Sequence, residues 1–190
     1  IYTIYALNKI GAVVNMIDPR INPQLITEYI NKAESKYAIV IDKIEKKIEK
    51  ILPKVSLEKV VSVSPMLSHG NPFIRFINKF KKSKFTKWEE FFDRNAQRVE
   101  TVNTKGDDLA VIEYTSGTSG DPKGVMLGNK SFVGLAHFQH ESLKNKVGDK
   151  FLLIMPPFIA YGLVIGMHDM LCQGQHLLMI PNFTLDKAPK

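Results

Sequence analysis

Cysteine is almost missing from this sequence: Cys172 stands alone among 190 residues. That excludes an intramolecular disulfide and any cysteine-based zinc cluster, and makes the cytosol the natural compartment. Cys172 lies in an apolar segment and reads as a core residue rather than a nucleophile. A charged-then-apolar leader is also lacking, because residue 1 already falls in a helix-like run, "IYTIYALNKIGAVV". The start and the closing "FTLDKAPK" both read as cut from something longer. The one long apolar run, "FLLIMPPFIAYGLVIGM" (151–167), is broken by Pro156, Pro157 and Gly162. It is shorter than the ~20 residues a spanning helix needs, so no membrane span is expected.

Acidic residues are in deficit, 19 against 26 Lys and Arg, which leaves a net charge of +7. The basic excess gathers in "DKIEKKIEKILPK" (42–54) and "KFKKSKFTK" (79–87), and either could attract phosphate or an acidic surface. In the first stretch Ile44, Ile48, Ile51 and Leu52 recur at helical spacing, leaving Lys and Glu on a solvated face. Neither stretch contains a nucleic-acid reading motif, so no nucleic-acid partner is expected. His137 and His140, three apart on a predicted helix, lack a third ligand, and His168 beside Asp169 is no better supplied. No metal site is expected from these residues.

What is present is an ordinary globular composition, 44% hydrophobic and 24% charged, patterned as alternating strand and helix. Residues 1–10 read as the end of a helix stopped by Gly11, then 12–18 as a strand and 19–23 as a turn. A helix follows with Leu25, Ile26, Tyr29, Ile30 and Ala33 on one face, then strands at 36–41 and 58–64 around the basic helix 43–52. Such alternation with short connections predicts a parallel sheet. Residues 65–106 read as an irregular excursion with one short helix near "WEEFF" (88–92). Residues 107–190 return to the α/β pattern: strands at 108–114, 124–128, 150–156 and 175–180, and helices at 129–147, capped by Asn129, and 162–172. The expected organisation is one partial domain of three stretches, 1–64, 65–106 and 107–190.

Between the strands at 108–114 and 124–128 lies the loop "YTSGTSGDPKGV" (114–125). Glycine lets a backbone approach a ligand closely, Ser and Thr add uncharged donors, and Lys123 adds one cation. The combination suits a polyphosphate cradle. It is not a Walker loop, because Pro122 occupies the place before Lys where that motif needs glycine, and a strand follows instead of a helix. A flexible linker would have no use for the Pro-Lys-Gly ending.

The loop resembles the signature of the adenylate-forming (AMP-binding) superfamily: acyl-CoA synthetases, aryl-CoA ligases, peptide-synthetase adenylation domains and luciferases. Every defined position of Tyr/Phe-Thr-Ser-Gly-Thr-Thr/Ser-Gly-x-Pro-Lys-Gly-Val is met. Residues 7–40 and the approach "DDLAVIEY" (107–114) extend the similarity. The resemblance implies an α/β fold of layered, mostly parallel sheets flanked by helices, seen here as part of the large N-terminal domain. It implies an enzyme that activates a carboxylic acid, fatty or aryl, through an acyl-adenylate, releasing pyrophosphate and passing the acyl group to a thiol. The implied partners are the small acid, ATP with Mg²⁺, and coenzyme A. Thr115, Ser116, Gly117, Thr118, Ser119 and Gly120 would hold the β- and γ-phosphates, with Lys123 as the catalytic cation. A second motif, "PPFIAYGL" (156–163), would place Ile159, Tyr161 and Gly162 at the acyl pocket. Ile159 departs from the usual histidine or aromatic, which points to an apolar wall there rather than a gate. "LGNKSF" (127–132) departs too, with Gly128 and Asn129 where a hydroxyl and a histidine are usual, so no ligand role carries over to them. The later family motifs for adenosine and the second-domain lysine have no counterpart, so this chain alone is expected to be inactive. An amino-acid or aryl-acid adenylation domain and a non-catalytic nucleotide-binding module are the alternatives.

Overall fold

The computed structural model describes residues 2–68, 71–92, 96, 98–115 and 122–180. In chain order its elements begin with α1 (Tyr2–Lys9), β1 (Val14–Met16), α2 (Pro23–Lys32), β2 (Tyr37–Ile41), α3 (Glu45–Ile51) and β3 (Lys59–Val63). There follow α4 (Pro72–Lys79), β4 (Thr86–Lys87), α5 (Trp88–Phe91), β5 (Leu109–Thr115), β6 (Lys123–Gly128) and α6 (Asn129–Leu143). The described chain closes with β7 (Lys150–Leu153), a π-helix (Tyr161–Asp169) running into α7 (Met170–Cys172), and β8 (His176–Met179). These elements form two units, Ile1–Asp18 with Val99–Lys190 and Pro19–Arg98.

In the discontinuous unit, β1, β5 and β6 make one sheet and β7 with β8 a second, parallel pair. The core gathers Val14, Ala110, Val111, Phe132, Leu153, Leu163, Val164 and Met167, and so draws on both sheets, α6 and the π-helix. Gly11 ends α1 as its position suggests: it takes φ 73°, while Ala12 N–H donates to the Leu7 carbonyl at 2.9 Å.

The contiguous unit is a parallel sheet in the order β2-β3-β4. Its α2 starts on Asn22, whose side chain accepts from Leu25 N–H at 2.8 Å, with Pro23 at the first helical position. Ile26, Tyr29 and Ile30 of α2 and Ile48 and Ile51 of α3 are buried, the faces that the helical spacing predicts.

Three expectations need correction. The strand near 12–18 does not join those at 36–41 and 58–64. It pairs in parallel with β5, Val14 opposite Val111 and Met16 opposite Glu113. Closeness in sequence yields here to burial, because Val14 and Met16 find their apolar neighbours around β5. Among the described residues, the stretch 65–106 holds a 3-10 turn (Pro65–Ser68), two α-helices and a short strand rather than one helix. Asn129 does not cap α6: Gly128 occupies that place. The Asn129 amide instead donates to the carbonyls of Lys105 and Asp108 at 3.1 and 3.4 Å and accepts from Asn8 Nδ2 at 2.7 Å. It fastens the turn before β5 to the start of α6.

Candidate active site

The signature loop is the turn of a β-hairpin. β5 and β6 pair antiparallel from Leu109 opposite Gly128 to Thr115 opposite Lys123. The alternation of β5 explains its place in the sheet: Val111 and Glu113 are 1% exposed, whereas Thr115 at the strand end is open. Lys123 and Thr115 therefore face each other at the mouth of the loop, both exposed, on the last rung of a ladder whose other end is fixed in the core. Gly124 lies beside them because a Cβ there would come within 3.3 Å of Ile112 and 3.4 Å of the Tyr114 ring. Ser116, Gly117, Thr118, Ser119 and Gly120 lie outside the described residues.

Glu113, two residues before Thr115, was not singled out by the sequence. Among the described residues neither carboxylate oxygen has a hydrogen-bond partner, and burial pushes its pKa from 4.5 up to about 7. Its Cα partners are Met16 and Val125. The available signal is one acid inside the apolar strand "LAVIEYT".

The second motif leads into the π-helix. Gly162 is buried against the Pro156 carbonyl so closely that a Cβ would sit 2.1 Å from that oxygen. Ile159 N–H donates to the same carbonyl at 3.3 Å and Leu163 N–H to the Ile159 carbonyl at 2.9 Å. Ile159 is half-buried and Tyr161 is 55% exposed. Gly162 thus closes a helix onto the preceding turn, and Tyr161 projects from the surface of its unit. π-Helical turns of this kind recur at functional sites.

Further along the same helix, His168 Nδ1 lies 3.1 Å from the Tyr5 hydroxyl and Nε2 lies 3.5 Å from Cys172 Sγ. Burial lowers the imidazole pKa and raises that of the phenol, which disfavours charge on either ring. Cys172 is exposed rather than in the core, because it falls on the last residue of α7, away from the packed face that holds Met170. Its sulfur is still sheltered enough for desolvation, the larger effect, with the Asp169 charge, to raise the thiol pKa. Nothing in that arrangement activates a thiolate. His137 pairs with Glu141 at 3.4 Å on the exposed face of α6, and Asp169 accepts from Gln173 Nε2 at 2.5 Å. Among the described residues no group of three or more His, Cys, Asp or Glu is placed to hold a metal ion. No helix among them is long and apolar enough to cross a membrane.

The sequence profile of the family described as "AMP-binding enzyme" matches residues 1–190, and the chain belongs to that family. Among curated relatives, 4-coumarate–CoA ligase 3 of Arabidopsis thaliana is 24% identical over 189 residues, covering 97% of this chain and 31% of the ligase. Gramicidin S synthase 2 of Brevibacillus brevis is 45% identical over 56 residues, which is 30% of this chain and 1% of the synthase. The solved structure of ATP-bound MatB from Rhodopseudomonas palustris superposes with a TM-score of 0.73 at 22% identity, covering 97% of this chain and 33% of MatB. The layered α/β fold is therefore that of the adenylate-forming enzymes. The chain spans a third or less of the length of these relatives.

Proposed function

We propose that this chain is the signature-loop portion of an ATP-dependent acyl-CoA synthetase, which activates a fatty or aryl carboxylic acid through an acyl-adenylate. The observation that carries the reading is the β5–β6 hairpin, which presents an intact signature loop with Thr115 and Lys123 paired at its mouth. Attack of a carboxylate oxygen on the α-phosphorus of ATP breaks the bond to pyrophosphate, and the charge that gathers on the leaving group needs fixed donors. Thr115, Ser116, Thr118 and Ser119, with the amides of Gly117 and Gly120, would bind the β- and γ-phosphates. Lys123 would oppose their charge from the loop end of β6. Mg²⁺ would neutralise part of the charge of the triphosphate. Glu113, the nearest acid before the loop, is closed into the core and does not suit a magnesium ligand.

Ile159 and Tyr161 would line the acid site, with Gly162 holding that turn in place. An apolar residue at 159 favours an acid with a hydrophobic body. The second reading, an adenylation domain that loads a carrier-protein thiol, draws support from the local identity to gramicidin S synthase 2.

Pyrophosphate exchange into ATP, run on the full-length protein with a panel of fatty, aryl and amino acids, tests the proposal. Exchange with a fatty or aryl acid is expected, followed by thioester formation on coenzyme A. Residues 1–190 alone should give none. Lys123→Ala in the full-length protein should slow exchange by about a hundredfold, the usual consequence of removing one charge-stabilising donor. Absence of exchange with every acid would leave a nucleotide-binding module.

A further inference from the structure

The sequence from Pro72 to Trp88 contains Arg75, Lys79, Lys81, Lys82, Lys84 and Lys87 and no acidic residue. Its helix, α4, has an unusual placement of apolar side chains. Phe73, Phe76, Ile77 and Phe80 recur at i, i+3, i+4 and i+7, the spacing that makes one face of a helix. In a helix packed on its own unit that face would be the buried one. Here the four are 69%, 61%, 55% and 66% exposed, and only Ile74 is half-buried. Phe76 and Phe80 contact each other edge to face, with ring centroids 5.0 Å apart, and so form one aromatic ridge.

The cations are ordered around the ridge. Arg75 and Lys79, one turn apart, flank the ridge and line a cavity together with Phe76. Downstream, Lys81 bonds to Asp42 and Lys84 to Glu49, each at 3.0 Å, which ties the segment after the helix to its unit. An aromatic ridge flanked by Lys and Arg, which outnumber the neighbouring acids Asp42, Glu45, Glu89 and Glu90, is the charge and shape complement of an anionic bilayer surface: rings enter the acyl boundary and cations stay among the headgroups.

We propose that α4, with the lysines that follow it, is an interfacial membrane-docking helix that seats this unit on bilayers containing anionic phospholipid. The helix lies flat and spans nothing. Because binding needs neither ATP nor an acid, its test is independent of the adenylation reading.

The experiment is sedimentation of the full-length protein with large vesicles of phosphatidylcholine alone and of phosphatidylcholine with roughly a quarter phosphatidylserine. Binding to the anionic vesicles, weak binding to the neutral ones and release at about 0.5 M salt are expected. The combined Phe73→Ser, Phe76→Ser, Phe80→Ser variant and the Lys79→Glu, Lys82→Glu variant should each lower partitioning by about tenfold or more. The charge-reversal pair keeps the aromatic ridge and alters exposed side chains only, so circular dichroism unchanged from the parent separates lost docking from lost folding. Equal binding to both vesicles, no binding, or binding indifferent to both variants overturns the proposal. So does self-association that the phenylalanine variant abolishes without any vesicle binding, which would make the ridge a contact between copies.

Discussion

Glu113 carries a buried carboxyl in β5 with no hydrogen-bond partner among the described residues, and its titration is coupled to folding. The folded-state pKa is raised, so the group adds stability in full below its unfolded value of 4.5 and loses it as pH rises through about 7. The window is therefore pH 4.5 to 7, and the loss across it is of order 2–3 kcal/mol. Urea denaturation at pH 5 and pH 8 should show lower stability at the higher pH. Glu113→Gln should remove most of that difference. Asp42 makes a useful contrast. Burial pulls its pKa upward most strongly, yet the bonds from Lys81 and Ser64 together outweigh burial and hold it below the usual carboxylate range. A partner decides the sign. The sequence marks Glu113 as an acid inside an apolar strand, but not the partners of Asp42, because Lys81 and Ser64 lie far along the chain.

At the scale of elements, the hairpin and the π-helix differ in what holds them. The hairpin rests on a ladder of strand pairs; the π-helix rests on the absence of a side chain at Gly162. Gly162→Ala would drive a Cβ to 2.1 Å from the Pro156 carbonyl oxygen, a backbone atom that cannot rotate aside. A loss of about 1–3 kcal/mol is expected, read as a fall in the urea midpoint with the slope unchanged. Much of the element order was legible: the helical faces of α2 and α3, the stop at Gly11 and the strands flanking the loop all follow from periodicity and punctuation. The partner of β1 was not, since period-two patterning tells which face is buried and not against what. Asn129 was misread for a related reason. A polar residue at a helix start has the composition of a cap, but its side chain serves three other groups that only the tertiary structure brings near. The signature loop was the most readable part of the site, because its chemistry is contained in contiguous residues. The outward aromatic face of α4 was not readable, because exposure is a property of the packed chain.

At the scale of the molecule, one unit is contiguous and the other is split by it, since the chain leaves after Asp18 and returns at Val99. That connectivity sets an order of events. Tyr37 meets Lys59 across a short helical crossover, whereas Val14 must wait for Val111, beyond the whole of the other unit. Loop closure costs more for the longer separation, by roughly 1.5RT times the logarithm of the length ratio. Amides of β2 and β3 should therefore gain protection earlier than those of β1 in pulse-labelled hydrogen exchange during refolding. On a ribosome the same asymmetry is sharper. The strand Val14–Met16 emerges early and stays unpaired while the intervening unit is made, and its partner arrives on the segment that runs directly into the signature loop. β5 has a second neighbour, β6, that follows closely in sequence, so local closure lets the β5–β6 hairpin form first and β1 then docks onto a strand that is already paired.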